Sequence, residues 1–147
     1  MVKKTVMVFG AFDGVHSGHL YYLKEAKKLG NHLIVAIARD HSPWHYKVGF
    51  KLPEAERMKT VEMLDIANEV ILGSETDPLE KIKKIKPDIV ALTPYHPVTK
   101  KELEAIFKDN GITAKVITIP LYNKSLYDVV YGRKYNETLR DVLNSSD

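Results

Sequence analysis

An α/β fold, with about five parallel strands and helices on both faces of the sheet, is the architecture this chain predicts. Three observations predict it. Short apolar runs recur without in-and-out alternation, as expected of strands covered on both faces. Between them lie stretches with helical periodicity, and the spacing is short enough for strand–helix–strand crossovers. Of the 147 residues, 44% are hydrophobic and 28% charged, which suits one packed domain over the whole chain, 1–147. The sequence contains no internal repeat, low-complexity tract or domain linker.

The first strand is Val6 to Phe9 (VMVF), and it runs into a turn carrying Gly10, Gly14 and Gly18. Asp13, His16 and His19 lie among and after these glycines. A helix then opens, with Tyr22, Leu23, Ala26 and Leu29 on one side and Gly30-Asn31 as its stop. HLIVAIA (32–38) is the second strand and ends in Arg39-Asp40. The polar segment after it holds Trp44, His45, Tyr46, Lys47, Phe50 and Lys51. That segment follows the carboxyl end of a strand, where ligands of open α/β sheets bind. Trp44, Tyr46 and Phe50 suit stacking on a flat ring as well as a local cluster.

Pro53 with Glu54 and Glu56 opens the next helix, which continues through Met58, Val61, Met63 and Leu64. NEVIL (68–72) is the third strand. Asp77-Pro78-Leu79-Glu80 reads as a cap for a short helix bearing Leu79, Ile82 and Ile85. DIVAL (88–92) is the fourth strand, closing on Thr93-Pro94-Tyr95-His96. Thr99 and Glu102 form a capping box for a helix faced by Leu103, Ile106 and Phe107, and Asn110-Gly111 ends it. AKVITI (114–119) is the fifth strand, with helical segments expected at 125–130 and 136–143. Together these elements predict a Rossmann-like layered structure.

Composition narrows the function. No apolar run approaches membrane-span length, and Met-Val-Lys-Lys leads into a strand rather than a signal peptide. Cysteine is absent, which excludes disulfides and a thiol nucleophile and fits a cytoplasmic setting. A net charge of +3 with scattered lysines suits an anionic small molecule better than nucleic acid.

Strand, glycine turn and helix together make an anion site, because glycine admits a close ligand and a helix N-terminus offers free N–H groups. Neither G-x-G-x-x-G nor G-x-x-x-x-G-K-[ST] is present. In their place stands His16-Ser17-Gly18-His19, two imidazoles three residues apart with room between them. The bare pair also reads as metal ligands or as a structural pair, though no third ligand follows at a familiar spacing.

GAFDGVHSGH (10–19) resembles the GxFDxxHxGH signature of the HxGH nucleotidyltransferase superfamily, also called cytidylyltransferase-like. Its members include FAD synthases, cytidylyltransferases for glycerol 3-phosphate and choline phosphate, and pantetheine-phosphate adenylyltransferases. LYYLKEAKKLG (20–30), ARD (38–40), PEAER (53–57), ILG (71–73) and IKPDIVAL (85–92) are similar to segments of the archaeal FAD synthase branch. The resemblance implies a nucleotidyltransferase joining AMP from ATP to the phosphate of FMN and releasing pyrophosphate without a covalent intermediate. Small-molecule substrates, a divalent cation such as Mg2+ held by substrate phosphates rather than by protein ligands, no nucleic acid or membrane partner, and room for a homodimer go with it.

The resemblance implies His16 and His19 as catalytic contacts to the phosphate chain. Ala11, Phe12, Ser17, Gly18, Tyr95 and Ser125 would join them around the nucleotide. Asp13, Arg39, Lys51, Arg57 and Lys124 would lie near the phosphates or the acceptor. Residue chemistry alone also allows Asp13 to organise its turn, Arg39 to pair with Asp40, and Lys51 and Arg57 to form a solvated basic face. The chain departs from the family pattern at Tyr95, where Asp or Asn is typical, and at Leu126, which replaces a second hydroxyl beside Ser125. A CTP-dependent glycerol-3-phosphate or polyol-phosphate cytidylyltransferase and a non-catalytic nucleotide-binding protein are the alternatives.

Overall fold

The structure is a computed structural model that describes residues 2–41, 50–94 and 96–120. The segments expected to be helical at 125–130 and 136–143 lie outside the described residues. Within them, β1 (Thr5–Gly10), α1 (Ser17–Lys27), β2 (His32–Ile37), α2 (Glu54–Met63), β3 (Glu69–Leu72), α3 (Glu80–Ile85), β4 (Ile89–Leu92), α4 (Lys100–Asp109) and β5 (Lys115–Thr118) follow in that order. The strands form one five-stranded sheet ordered β3-β2-β1-β4-β5, and every pairing is parallel. This is the predicted α/β, Rossmann-like arrangement.

Strand residues alternate between two apolar layers, which explains why the runs show no polar face. Val6, Val8, Leu33, Val35, Ile37 and Ile89 meet Tyr22, Leu23 and Ala26 of α1 and Val61 of α2. Met7, Ile34, Ala36, Val90 and Val116 meet Ile82 of α3 and Leu103 and Phe107 of α4. Each helix pair thus seals one face of the sheet, and burial of both faces drives the layering.

The chain reverses its direction of travel across the sheet between β1 and β4. The β1–β2 ladder runs the full strand, to Gly10 beside Ile37. The β1–β4 ladder stops earlier, at Val8 beside Ala91. The ladder between them therefore stops before their carboxyl ends, at the switch point, where ligands of such sheets bind.

Local expectations meet the structure unevenly. The Thr99–Glu102 capping box forms as expected, with Glu102 N–H donating to the Thr99 hydroxyl at 3.1 Å and Thr99 N–H to the Glu102 carboxylate at 3.3 Å. Gly111 ends α4 with φ of 68°. Asp77 does not cap α3. Its carboxylate accepts from Leu79 N–H at 2.9 Å, one step before a helix whose N-cap residue, Leu79, makes no side-chain cap bond. Met63 is 76% exposed, so the buried side of α2 is carried by Val61 with Met58 beside it.

Gly30 is needed for a different reason from the expected helix stop. A Cβ there would lie 2.5 Å from the Lys4 carbonyl oxygen and 2.9 Å from Val6 Cγ2. The chain leaving α1 is pressed against the start of β1, where Asn31 accepts from Lys4 N–H and donates to the Val2 carbonyl. Gly30→Ala should therefore lower unfolding free energy by about 1–3 kcal/mol through overpacking against backbone, as read by urea denaturation.

Candidate active site

The two histidines of the glycine turn meet at the mouth of α1. His16 is its N-cap, and His16 Nδ1 accepts the Gly18 N–H at 3.0 Å. His19, at the third helical position, returns the favour, since its Nδ1 accepts the His16 N–H at 3.3 Å. This is a capping box built from imidazoles instead of a hydroxyl and a carboxylate. The ring centroids lie 3.9 Å apart with planes at 35°.

The cap dictates the tautomer. A ring nitrogen that accepts a backbone N–H carries no proton, so each neutral ring holds its proton at Nε2. Two Nε2–H donors thus stand side by side at a helix N-terminus, the arrangement suited to developing negative charge. Both Nε2 atoms are buried, where a hydrogen bond is shielded from bulk water and stronger.

The turn before the helix is held in an unusual backbone shape. Phe12 is fully buried with φ of 53°, a conformation rare for a bulky residue. Its ring packs on His19 at 5.2 Å between centroids, so the strained residue fixes the orientation of a site histidine. Ala11 and Gly18 are buried alongside. The Asp13 carboxylate accepts N–H bonds from Lys51 at 2.7 Å and Leu52 at 2.9 Å. Asp13 is thus tied to the loop across from it rather than presented to a phosphate.

Arg57 corrects both readings of its sequence position. It is neither part of a solvated basic face nor open to a triphosphate, being 0% exposed. Its Nε donates to the Leu52 carbonyl at 2.9 Å. One terminal nitrogen donates to the carbonyls of Ala11 at 2.9 Å and Ala38 at 2.8 Å. The other pairs with Asp40 at 2.9 Å, and Phe50 covers the guanidinium at 4.2 Å. Only a planar, multiply donating cation can join these groups. Position 57 faces inward from α2 because three carbonyls converge there, a fact of tertiary structure.

Arg39 is committed as well, though not to Asp40. It pairs with Glu54 at 2.9 Å and Glu75 at 2.7 Å. Asp40 and Glu54 exchange backbone N–H bonds through their carboxylates, each at 3.0 Å. The Asp13, Arg39 and Arg57 side chains thus each hold protein partners at the carboxyl edge of the sheet. Lys51 alone of the described basic candidates has an exposed side chain. Trp44, His45, Tyr46, Lys47, Tyr95, Lys124 and Ser125 lie outside the described residues.

His96 is a feature that sequence reasoning did not single out for a role. Its Nδ1 accepts the Thr93 N–H at 2.8 Å, and its Nε2 bonds the Phe9 carbonyl at 2.7 Å. A histidine four residues beyond the end of β4, at the predicted ligand edge, was the available signal. Among the described residues no group of three or more His, Asp or Glu side chains could hold a metal ion. Among them, too, no helix is long and apolar enough to cross a membrane.

Comparison with known proteins sets this geometry in context. The profile described as Cytidylyltransferase-like matches residues 7–138. A Methanosarcina mazei protein named FAD synthase is 43% identical over 116 residues, covering 79% of this chain and 76% of its own. The Methanohalobium evestigatum FAD synthase is 41% identical over 114 residues, covering 78% and 75%. The crystal structure of a lipopolysaccharide core biosynthesis protein from Thermoplasma volcanium superposes with a TM-score of 0.78 at 34% identity. It spans 83% of this chain and all of the other.

Replacing Arg57 by Lys keeps the charge but loses the fork. At about 1.5–3 kcal/mol for each charge-assisted bond lost, the variant should fall by roughly 3 kcal/mol or more. Thermal and urea unfolding would show it, and a change below about 0.5 kcal/mol would mean that the guanidinium is not the clasp described.

Proposed function

This chain belongs to the cytidylyltransferase-like family, and from that premise we propose that it transfers AMP from ATP to the phosphate of FMN, giving FAD and pyrophosphate. The observation that carries this reading is the imidazole capping box at the carboxyl edge of β1, in a chain 43% identical to a protein named FAD synthase. A phosphate oxygen of FMN attacks the α-phosphorus of ATP in line. The bond to the β-bridging oxygen breaks, and the electron pair leaves with pyrophosphate.

The attacking oxygen is already an anion near neutral pH, so no general base is needed. What opposes reaction is the approach of two polyanions and the charge that gathers on the α-phosphate and leaving group. The Nε2–H groups of His16 and His19 donate to that charge, with the α1 dipole behind them. Lys51 supplies a mobile cation at the rim. Ala11, Phe12, Ser17 and Gly18 present backbone to the nucleotide; Tyr95, Lys124 and Ser125, which the resemblance adds to this set, lie outside the described residues. A divalent cation carried by the substrate would neutralise charge on the triphosphate. Asp13, the carboxylate of the turn, already accepts two N–H bonds, which fits an ion held by the substrate rather than by this residue. The substrates are small phosphorylated metabolites, and we place the reaction in the cytoplasm.

The direct test supplies purified protein with ATP, FMN and Mg2+ and follows FAD and pyrophosphate. Stoichiometric formation of both is expected. Turnover of CTP with glycerol 3-phosphate and indifference to FMN would replace this reading with a cytidylyltransferase. Nucleotide binding without product in any combination would make the chain a binding protein.

A sharper test follows from the cap. His16→Ala removes the cap and the Nε2–H together, whereas His16→Asn keeps a good N-cap and removes only the ring donor. His16→Asn should stay within about 0.5 kcal/mol of wild type in stability while kcat falls by about 10²–10³. Parallel losses of stability and turnover would assign the ring to structure alone.

A further inference from the structure

The end of the β1–β4 seam leaves one carbonyl past the ladder, and a side chain satisfies it. Successive carbonyls along a strand point to opposite neighbours. Gly10 C=O faces β2, accepting from Ala38 N–H, so Phe9 C=O faces the β4 side. Likewise Leu92 C=O faces β5, accepting from Ile119 N–H, so Ala91 C=O faces β1. The β1–β4 ladder ends with Val8 beside Ala91, so the Phe9 carbonyl lies just past it, where no ladder bond continues. Tyr22 OH donates to Ala91 C=O at 2.7 Å. His96 Nε2–H donates to Phe9 C=O at 2.7 Å. The two rings meet edge to face with centroids 5.7 Å apart.

His96 does more than satisfy one carbonyl. Its Nδ1 accepts the Thr93 N–H at 2.8 Å and lies 2.9 Å from the Thr93 hydroxyl. The Nδ1 acceptor requires the proton at Nε2, which is the donor that Phe9 needs. One neutral ring therefore spans the seam from the first residue after β4 to the penultimate residue of β1. We propose that His96 is a nucleotide-positioning residue, which sets the separation of β1 and β4 at the switch point and thereby the seat of the nucleotide base and ribose. The proposal rests on the nucleotide reading above and adds a determinant outside the glycine turn. It predicts a loss in nucleotide binding rather than in phosphoryl transfer, because His96 holds the seam and touches no reacting atom.

The test measures ATP binding by calorimetry without acceptor, beside steady-state kinetics and thermal unfolding. His96→Ala should weaken ATP binding and raise KM for ATP by about tenfold, with kcat within about twofold and KM for FMN unchanged. His96→Gln, whose amide carries a donor and an acceptor side by side, should recover ATP affinity to within about threefold of wild type. Should the alanine variant not fold, His96→Leu keeps the volume and is read in the same way. A lowered Tm with wild-type ATP affinity would overturn the proposal, as would equal changes for ATP and FMN or failure of the glutamine to rescue. Wild-type protein that binds ATP without making FAD would defeat the FAD synthase reading yet leave this one decided by the binding constants. If it binds CTP instead, the same comparison is made with CTP.

Discussion

A buried guanidinium supplies the constraint on which the ligand edge depends. Parallel strands end in carbonyls, and a chain that turns away from the sheet leaves some of them without a ladder donor. Here Ala11, Ala38 and Leu52 bring such carbonyls to one point, and Arg57 answers all of them while Asp40 balances its charge. Burying a charge is costly unless it is paired and fully bonded, so the arrangement tolerates little change. The cation fixes the ends of β1 and β2 and the approach to α2 as one body. The histidine turn is hung from that body through Ala11 and through Asp13, which grips the loop next to Leu52.

The sheet and its helices were legible because they rest on periodicity and local chemistry. Apolar runs marked all five strands to within a residue or two, and Thr99 with Glu102 marked a helix start that the structure reproduces. The histidine pair was legible as chemistry too, from two imidazoles around a glycine. Its geometry was less so, since nothing in HSGH says that each ring would accept the other's neighbouring N–H. The partners of Arg39 and Arg57 were not legible, for a physical reason. Side-chain type announces a charge, but the partners that claim it are carbonyls and carboxylates assembled from four separate segments. Gly30 shows the same limit, because its need arises from a chain 26 positions earlier, at Lys4.

Structural and chemical duties overlap in this site. The nitrogen that caps α1 and the buried Nε2 belong to the same ring, and the first decides which tautomer the ring adopts. Phe12 joins the two demands by holding a left-handed backbone while its ring supports His19. Precision of this kind costs some intrinsic stability, which the two apolar layers of the sheet offset.

The central place of β1 bears on how the chain folds as it leaves the ribosome. Leu33, one partner of Val6, is synthesised well before Ile89, the partner on its other side. During that interval a nascent β1–β2–β3 unit presents a long, apolar, unpaired strand edge, of the sort that recruits other chains. Arrival of β4 and β5 covers it and creates the switch point in the same event. The ligand edge and the cover for that side of β1 thus both come from the strands made last, β4 and β5.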